Sequence, residues 1–196
     1  MAKSILLVGV GGQGTILAGK ILSQALLGAG YDVKMSEIHG MSQRGGSVST
    51  HVRYGDNIES PVIERGGADI LVGFELMEAL RWLEYLSLGG DLIVNNYQIN
   101  PTSVLIGNAE YPDDLLEKLK NSVKTVSINA FDEAKNLGDP RTMNILLLGA
   151  AARKIGLSDL PWEDTISQEV RKEFFEINVK AFKRGQELAR HPKTNR

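Results

Sequence analysis

Hydrophobic positions fall into short runs divided by glycines and polar turns, and their spacing predicts strands and helices in alternation. Ser4 to Val8 (SILLV) is a β-rich run that ends in GVGGQG. From Thr15 to Ala29 the apolar residues Ile16, Leu17, Ile21, Leu22, Ala25 and Leu26 recur at helical spacing. Asp32 to His39 predicts a second strand. Ser47 to Tyr54 predicts a third, with Val48, Thr50 and Val52 on one face and Ser49, His51 and Arg53 on the other. Asp69 to Phe74 (DILVGF) and Asp91 to Asn95 (DLIVN) are continuous apolar runs of the kind buried on both faces of a parallel sheet, with a helix from Glu75 to Tyr85 between them.

Beyond Pro101 the pattern predicts a strand at Val104 to Ile106, a helix at Pro112 to Lys120, a strand at Val123 to Ile128 and a helix at Ala130 to Leu137. Thr142 to Lys154 (TMNILLLGAAARK) is helical and apolar nearly all round, so it belongs inside the domain or under a partner. Two more helical stretches, Glu163 to Phe175 and Glu176 to Ala189, precede a polar tail. The expected architecture is a single α/β domain over residues 1–196. Its sheet is doubly wound and mostly parallel, Rossmann-like, and its C-terminal part, about residues 140–190, is helical.

Composition narrows the chemistry. The chain has 196 residues, a net charge of -2 and no cysteine. A near-neutral acidic balance gives no general attraction to nucleic acid phosphates. No apolar run approaches the roughly 20 residues of a membrane span, so the expected location is the cytoplasm and neither nucleic acid nor membrane is an expected partner. Without cysteine, the chain alone supplies no disulfide, thiolate nucleophile or thiolate-bound iron–sulfur cluster. Redox chemistry therefore requires a cofactor or another subunit.

Gly9, Gly11 and Gly14 match a G-x-G-x-x-G turn between strand and helix, with Glu37 near the end of the second strand where a ribose-binding acid would lie. Such glycines let the backbone approach a pyrophosphate, which the positive end of the helix then stabilises. The same glycines also suit an ordinary strand-to-helix turn, and Gly12 and Gln13 suit a groove for another subunit. Lys20 is too far into the helix for a phosphate-binding P-loop.

The stretches GVGGQGTILAGKIL (9–22), EIHGMSQRGGSVSTHVR (37–53), SPVIERGGADILVGFELMEALR (60–81) and NILLLGA (144–150) together resemble the gamma subunit or domain of the 2-oxoacid:ferredoxin oxidoreductases. MSQRGG (41–46) is similar to the indolepyruvate type, in which this unit is the beta subunit. The resemblance implies a complex that oxidatively decarboxylates arylpyruvates to aryl-acetyl-CoA, using thiamine diphosphate, coenzyme A and iron–sulfur clusters, and passes electrons to ferredoxin. It also implies that thiamine diphosphate and the clusters belong to a large alpha subunit. The absence of cysteine agrees, and GGDLIVNN (89–96) lacks the glycine and the spacing of a thiamine diphosphate motif.

On that basis the chain holds no catalytic residue, no metal and no tightly bound cofactor of its own. Its candidate contact residues are Gly9, Gly11, Gly12, Gln13 and Gly14 in the first turn, and Ser42, Gln43, Arg44, Gly45 and Gly46 in the loop between the second and third strands. Arg44 presents a rigid fork of donors suited to a coenzyme A phosphate or a carboxylate of the partner chain, while Gly45 and Gly46 keep the approach clear. An internal turn would use the same residues. His39 and His51 are expected to be neutral and hydrogen-bonded, and Trp82 and Trp162 to be packed in a core or interface. Two further functions compete with the subunit reading: a free-standing Rossmann-like nucleotide-binding protein, and a scaffold subunit without a ligand.

Overall fold

The computed structural model describes residues 2–40 and 46–190. Strand β1 (Lys3–Val10) leads into helix α1 (Thr15–Gly28), and β2 (Asp32–His39) and β3 (Ser47–Gly55) follow. Next come β4 (Ala68–Gly73), α2 (Leu76–Arg81), β5 (Leu86–Asn95), the short helix α3 (Thr102–Leu105) and α4 (Leu115–Ser122). The chain continues with β6 (Lys124–Ile128), α5 (Ala130–Leu137), α6 (Met143–Lys154), α7 (Trp162–Glu169) and α8 (Phe175–Leu188).

The strands form one sheet in the order β2-β3-β1-β4-β5-β6. β1, β4, β5 and β6 pair in parallel, whereas β3 is antiparallel to both β1 and β2. Chain length explains the exception. Only residues 40–46 join β2 to β3, and a parallel connection needs a crossover of about a dozen residues or more. The sheet is thus α/β and mostly parallel.

Alternation along the strands builds two cores. Ile5, Leu7, Val52, Ile70, Val72 and Ile93 face α1 and α6, while Leu6, Val8, Leu71, Leu92 and Val94 face α2 and α4. Helix α6 is buried on almost every side, as its all-round apolar pattern predicts, because α8 crosses it on the side away from the sheet. The crossing depends on two glycines. A Cβ at Gly149 would strike the Phe182 carbonyl, and a Cβ at Gly185 would strike the Leu146 carbonyl.

Four expected elements differ, the first being the helix expected over Glu75 to Tyr85, which ends at Arg81 and is followed by a 3-10 turn at Leu83–Tyr85. Val104 to Ile106 is not a strand but part of α3 and its end, with Leu105 and Ile106 exposed, because an apolar run this short has no period that separates strand from helix. The helix expected over Glu163 to Phe175 stops at Glu169. Val170 is extended there, packs its side chain partly into the core, and a 3-10 turn at Lys172–Phe174 precedes α8. β5 begins at Leu86 rather than Asp91, with a register break opposite Ala68 and Ile70 that displaces Ser87 to Gly90 from the ladder.

Candidate functional site

The carboxyl ends of the parallel strands bring several turns together. From β1 the chain departs through α1 toward β2, and from β4 it departs through α2 toward β5 on the other side of the sheet. The crevice between the ends of β1 and β4 is therefore the switch point at which doubly wound sheets usually take a ligand. Because β3 runs backwards, its first residue, Ser47, also lies at this edge, opposite Val10.

In this protein side-chain amides occupy the crevice. Gln13, only 6% exposed, accepts from the Val10 N–H at 2.7 Å through Oε1 and donates to the Phe74 carbonyl at 2.9 Å through Nε2. Asn95 at the end of β5 donates to the same carbonyl at 3.2 Å, and its Oδ1 accepts from the Ala130 N–H, at the start of α5, at 3.0 Å. Two amides thus link the turns after β1, β4 and β6.

Three glycines of the first turn, Gly9, Gly12 and Gly14, have their own physical reasons. A Cβ on Gly9 would stand 2.7 Å from the Gln13 Oε1 and 2.9 Å from the Phe74 Cβ, so packing against the amide excludes a side chain. Gly14 has φ +80° and lies against the Asn144 amide, which donates to the Gly14 carbonyl at 3.3 Å. Gly12 has φ +98°, and a Cβ there would meet nothing within 4 Å, so only its backbone angle calls for glycine. The Gly11 N–H donates to the Gly46 carbonyl at 2.9 Å. Gln13 is therefore internal, and the exposed part of the turn is Gly12.

Of the second candidate group, Gly46 is placed beside the turn, and the Gly40 N–H donates to the Ser47 carbonyl at 2.8 Å, closing the base of the β2–β3 connection at the same edge. Ser42, Gln43, Arg44 and Gly45 lie outside the described residues. Glu37 is not next to the glycine turn. It pairs with Thr50 of β3, and β3 separates β2 from β1, so the acid of a dinucleotide fingerprint stands one strand too far away.

The remaining polar groups brace this edge. Glu75, 1% exposed at the start of α2, accepts from the Glu78 N–H at 2.9 Å, the Ile99 N–H at 3.2 Å and the Tyr111 hydroxyl at 2.5 Å. Burial and the adjacent Glu75 carboxyl push the Tyr111 phenol well above its ordinary value, so it stays a donor. Glu78 accepts from the Ser47 hydroxyl at 2.5 Å and from Arg81 at 3.0 Å, and the Trp82 indole donates to Ser47 Oγ at 3.3 Å. Neither buried glutamate stands out in the sequence FELMEALR (74–81), because acids in the first turn of a helix are commonly exposed.

His51 is buried on β3, where Nδ1 accepts from the Ile63 N–H at 3.1 Å and the ring meets Trp82 and Tyr85 edge-on. Desolvation lowers its pKa, so the imidazole is neutral and structural. His39 is exposed at the end of β2, 3.5 Å from Glu37. Trp162 lies in the core against Phe182. Among the described residues no group of three His, Cys, Asp or Glu side chains is arranged to hold a metal, and no helix is long and apolar enough to cross a membrane.

A family described as pyruvate ferredoxin/flavodoxin oxidoreductase matches residues 4–188. Indolepyruvate oxidoreductase subunit IorB of Pyrococcus horikoshii is 38% identical over 195 residues, covering 95% of this chain and 96% of that protein. The crystal structure of a keto/oxoacid ferredoxin oxidoreductase gamma subunit from Geobacter sulfurreducens is similar with TM-score 0.71 and 28% identity, over 95% of this chain and 98% of that one. The same fold, at 21% identity and TM-score 0.74, occupies 31% of a chain of 2-oxoglutarate:ferredoxin oxidoreductase from Magnetococcus marinus, solved with 2-oxoglutarate, coenzyme A and succinyl-CoA bound; 96% of the present chain is covered. Full-length matches to separate small subunits, on a sheet whose order departs from a dinucleotide fold, establish that this chain belongs to the pyruvate ferredoxin/flavodoxin oxidoreductase family as a small, gamma-type subunit.

Proposed function

We propose that the chain is the small subunit of an indolepyruvate:ferredoxin oxidoreductase, which converts aryl 2-oxoacids to aryl-acetyl-CoA and delivers electrons to ferredoxin. The observation that carries this reading is the end-to-end match at 38% identity to a protein of that name, with each chain covering nearly all of the other. Thiamine diphosphate and iron–sulfur clusters then belong to the large alpha subunit, consistent with a chain that has no cysteine. When bound there, thiamine diphosphate supplies the carbanion stabilisation that decarboxylation requires.

This chain's part is to complete the assembly through its carboxyl edge. The exposed turn at Gly12 and the adjoining Gly46 offer backbone to a ligand or a partner. Ser42, Gln43, Arg44 and Gly45 continue the same connection, and Arg44 provides the cation for a coenzyme A phosphate. Coenzyme A is a ligand of the Magnetococcus enzyme that shares the fold. A second reading, that the edge grips the large subunit rather than coenzyme A, is favoured by the packing of Gly9 and Gly14 against the protein's own amides.

The test is reconstitution. This chain should purify as a stable complex with the large subunit, and that complex should reduce ferredoxin with indolepyruvate and coenzyme A while the isolated chain does not. Activity in the isolated chain, or full activity of the large subunit without it, would refute the assignment. Arg44→Ala separates the two readings: a raised KM for coenzyme A points to the phosphate, whereas weakened assembly and an equal loss of every partial reaction point to the partner.

A further inference from the structure

At the switch-point crevice one side chain, Gln13, bonds two backbone groups at once. Gln13 returns its Oε1 to the N–H of Val10, while the Val10 carbonyl accepts from the Gln13 N–H at 3.1 Å, so turn and side chain are bonded reciprocally. Its Nε2 reaches across to Phe74, 61 positions later, just past the end of the neighbouring strand β4. One step beyond Val10, Gly11 donates to Gly46. The position of Gly46 is thus tied to β4 through Gly11, Val10 and Gln13.

We infer that Gln13 is a positioning residue for the reaction of the assembled enzyme: it fixes the outer turn at Gly12 and the adjoining Gly46 in one arrangement against β4, ready for coenzyme A. This rests on the proposed function, in which the carboxyl edge faces the active site. The chemistry explains why an amide stands here. Gln13 gives the Val10 N–H an acceptor and gives the Phe74 carbonyl, which Asn95 also bonds, a donor from the glycine turn; a carboxylate lacks that donor and an apolar chain lacks both groups. Gly9 is the complementary feature, since any Cβ there would displace the amide.

Asn95 provides the internal comparison. It donates to the same Phe74 carbonyl but holds α5 rather than the glycine turn. Asn95→Asp and Gln13→Glu each keep an acceptor for a backbone N–H and lose the donor to Phe74. If Gln13 acts by positioning, the complex carrying Gln13→Glu still assembles and still decarboxylates indolepyruvate with dye reduction in the absence of coenzyme A, while its KM for coenzyme A rises on the order of tenfold. Asn95→Asp should lose comparable thermal stability with an unchanged KM for coenzyme A.

Gln13→Met, which fills the same volume without either bond, should repeat the KM effect. Equal loss of all partial reactions, or failure of both Gln13 variants to fold and assemble, would make Gln13 purely structural and overturn the inference. Normal coenzyme A kinetics in the Gln13 variants alongside a raised KM in Arg44→Ala would overturn it while leaving the proposed function intact. Normal kinetics in all of them would overturn both the positioning role and the placement of coenzyme A at this edge.

Discussion

The side-chain amide of Gln13 donates to the main-chain carbonyl of Phe74 at 2.9 Å, joining the first turn of the chain to the end of β4 inside a sheet crevice. Leaving a buried backbone N–H or carbonyl without its partner costs about 1 to 3 kcal/mol. Gln13→Met takes the acceptor from the Val10 N–H, while the Phe74 carbonyl keeps its donor from Asn95, so the stability of the isolated chain should fall by that order. Since Gln13 and Asn95 share one acceptor, their losses should be non-additive in a double-mutant cycle measured by denaturant unfolding.

The glycines of the turn should rank by their surroundings. Gly9→Ala forces a methyl against Gln13 and Phe74, and overpacking of this kind costs roughly 1 to 3 kcal/mol or more. Gly12→Ala meets no neighbour and carries only the penalty of its positive φ, about 1 kcal/mol at the low end of backbone strain. Thermal melts should show the larger decrease for Gly9→Ala, and the reverse order would contradict the packing described for Gln13.

At the α6–α8 crossing, Gly149→Ala and Gly185→Ala each place a methyl on a facing carbonyl of the other helix. Neither carbonyl can move without shifting its helix. Each substitution should destabilise the chain by several kcal/mol, visible as loss of soluble protein or a large fall in the urea midpoint, whereas Gly156→Ala, with nothing within 4 Å but a positive φ, should be far milder.

Acid stability should report on His51. Burial lowers its pKa in the folded chain, whereas the unfolded chain titrates near the ordinary value of about 6.5. The unfolded state therefore binds more protons as pH falls through that value. Stability should be full above it and decline below it until the lowered folded value is passed. Urea unfolding from pH 7.5 to 5 should show this decline, and His51→Gln should flatten it. An unchanged slope in the variant would assign the pH dependence to other groups.

The place of Glu37 leads to an expectation for nucleotides. With β3 between its strand and the glycine turn, and with Gln13 in the crevice, the dinucleotide arrangement is not formed. Titration calorimetry of the isolated chain with NAD or FAD should detect no binding tighter than about 10 μM. Tighter binding would revive the free-standing nucleotide-binding reading.

Local pattern makes much of this protein legible. The apolar runs of β1, β4 and β5, the helical spacing of α1 and the all-round apolar face of α6 reflect burial that each segment records in its own residues. The family stretches likewise point to the small subunit of an oxidoreductase complex without reference to any tertiary contact. Strand order is decided elsewhere, by pairing between segments far apart in the chain. β3 lies between β1 and β2 and runs backwards, which separates Glu37 from the turn that a dinucleotide fingerprint would have it serve.

The role of Gln13 is hidden for the same reason. In the sequence it is one polar residue among four glycines, and only the approach of Phe74, after β4 has paired with β1, makes it an internal bond rather than an exposed contact. Periodicity encodes which face of a segment is buried, but a hydrogen bond across 61 residues depends on where two chain segments meet, and that is settled by the folded sheet.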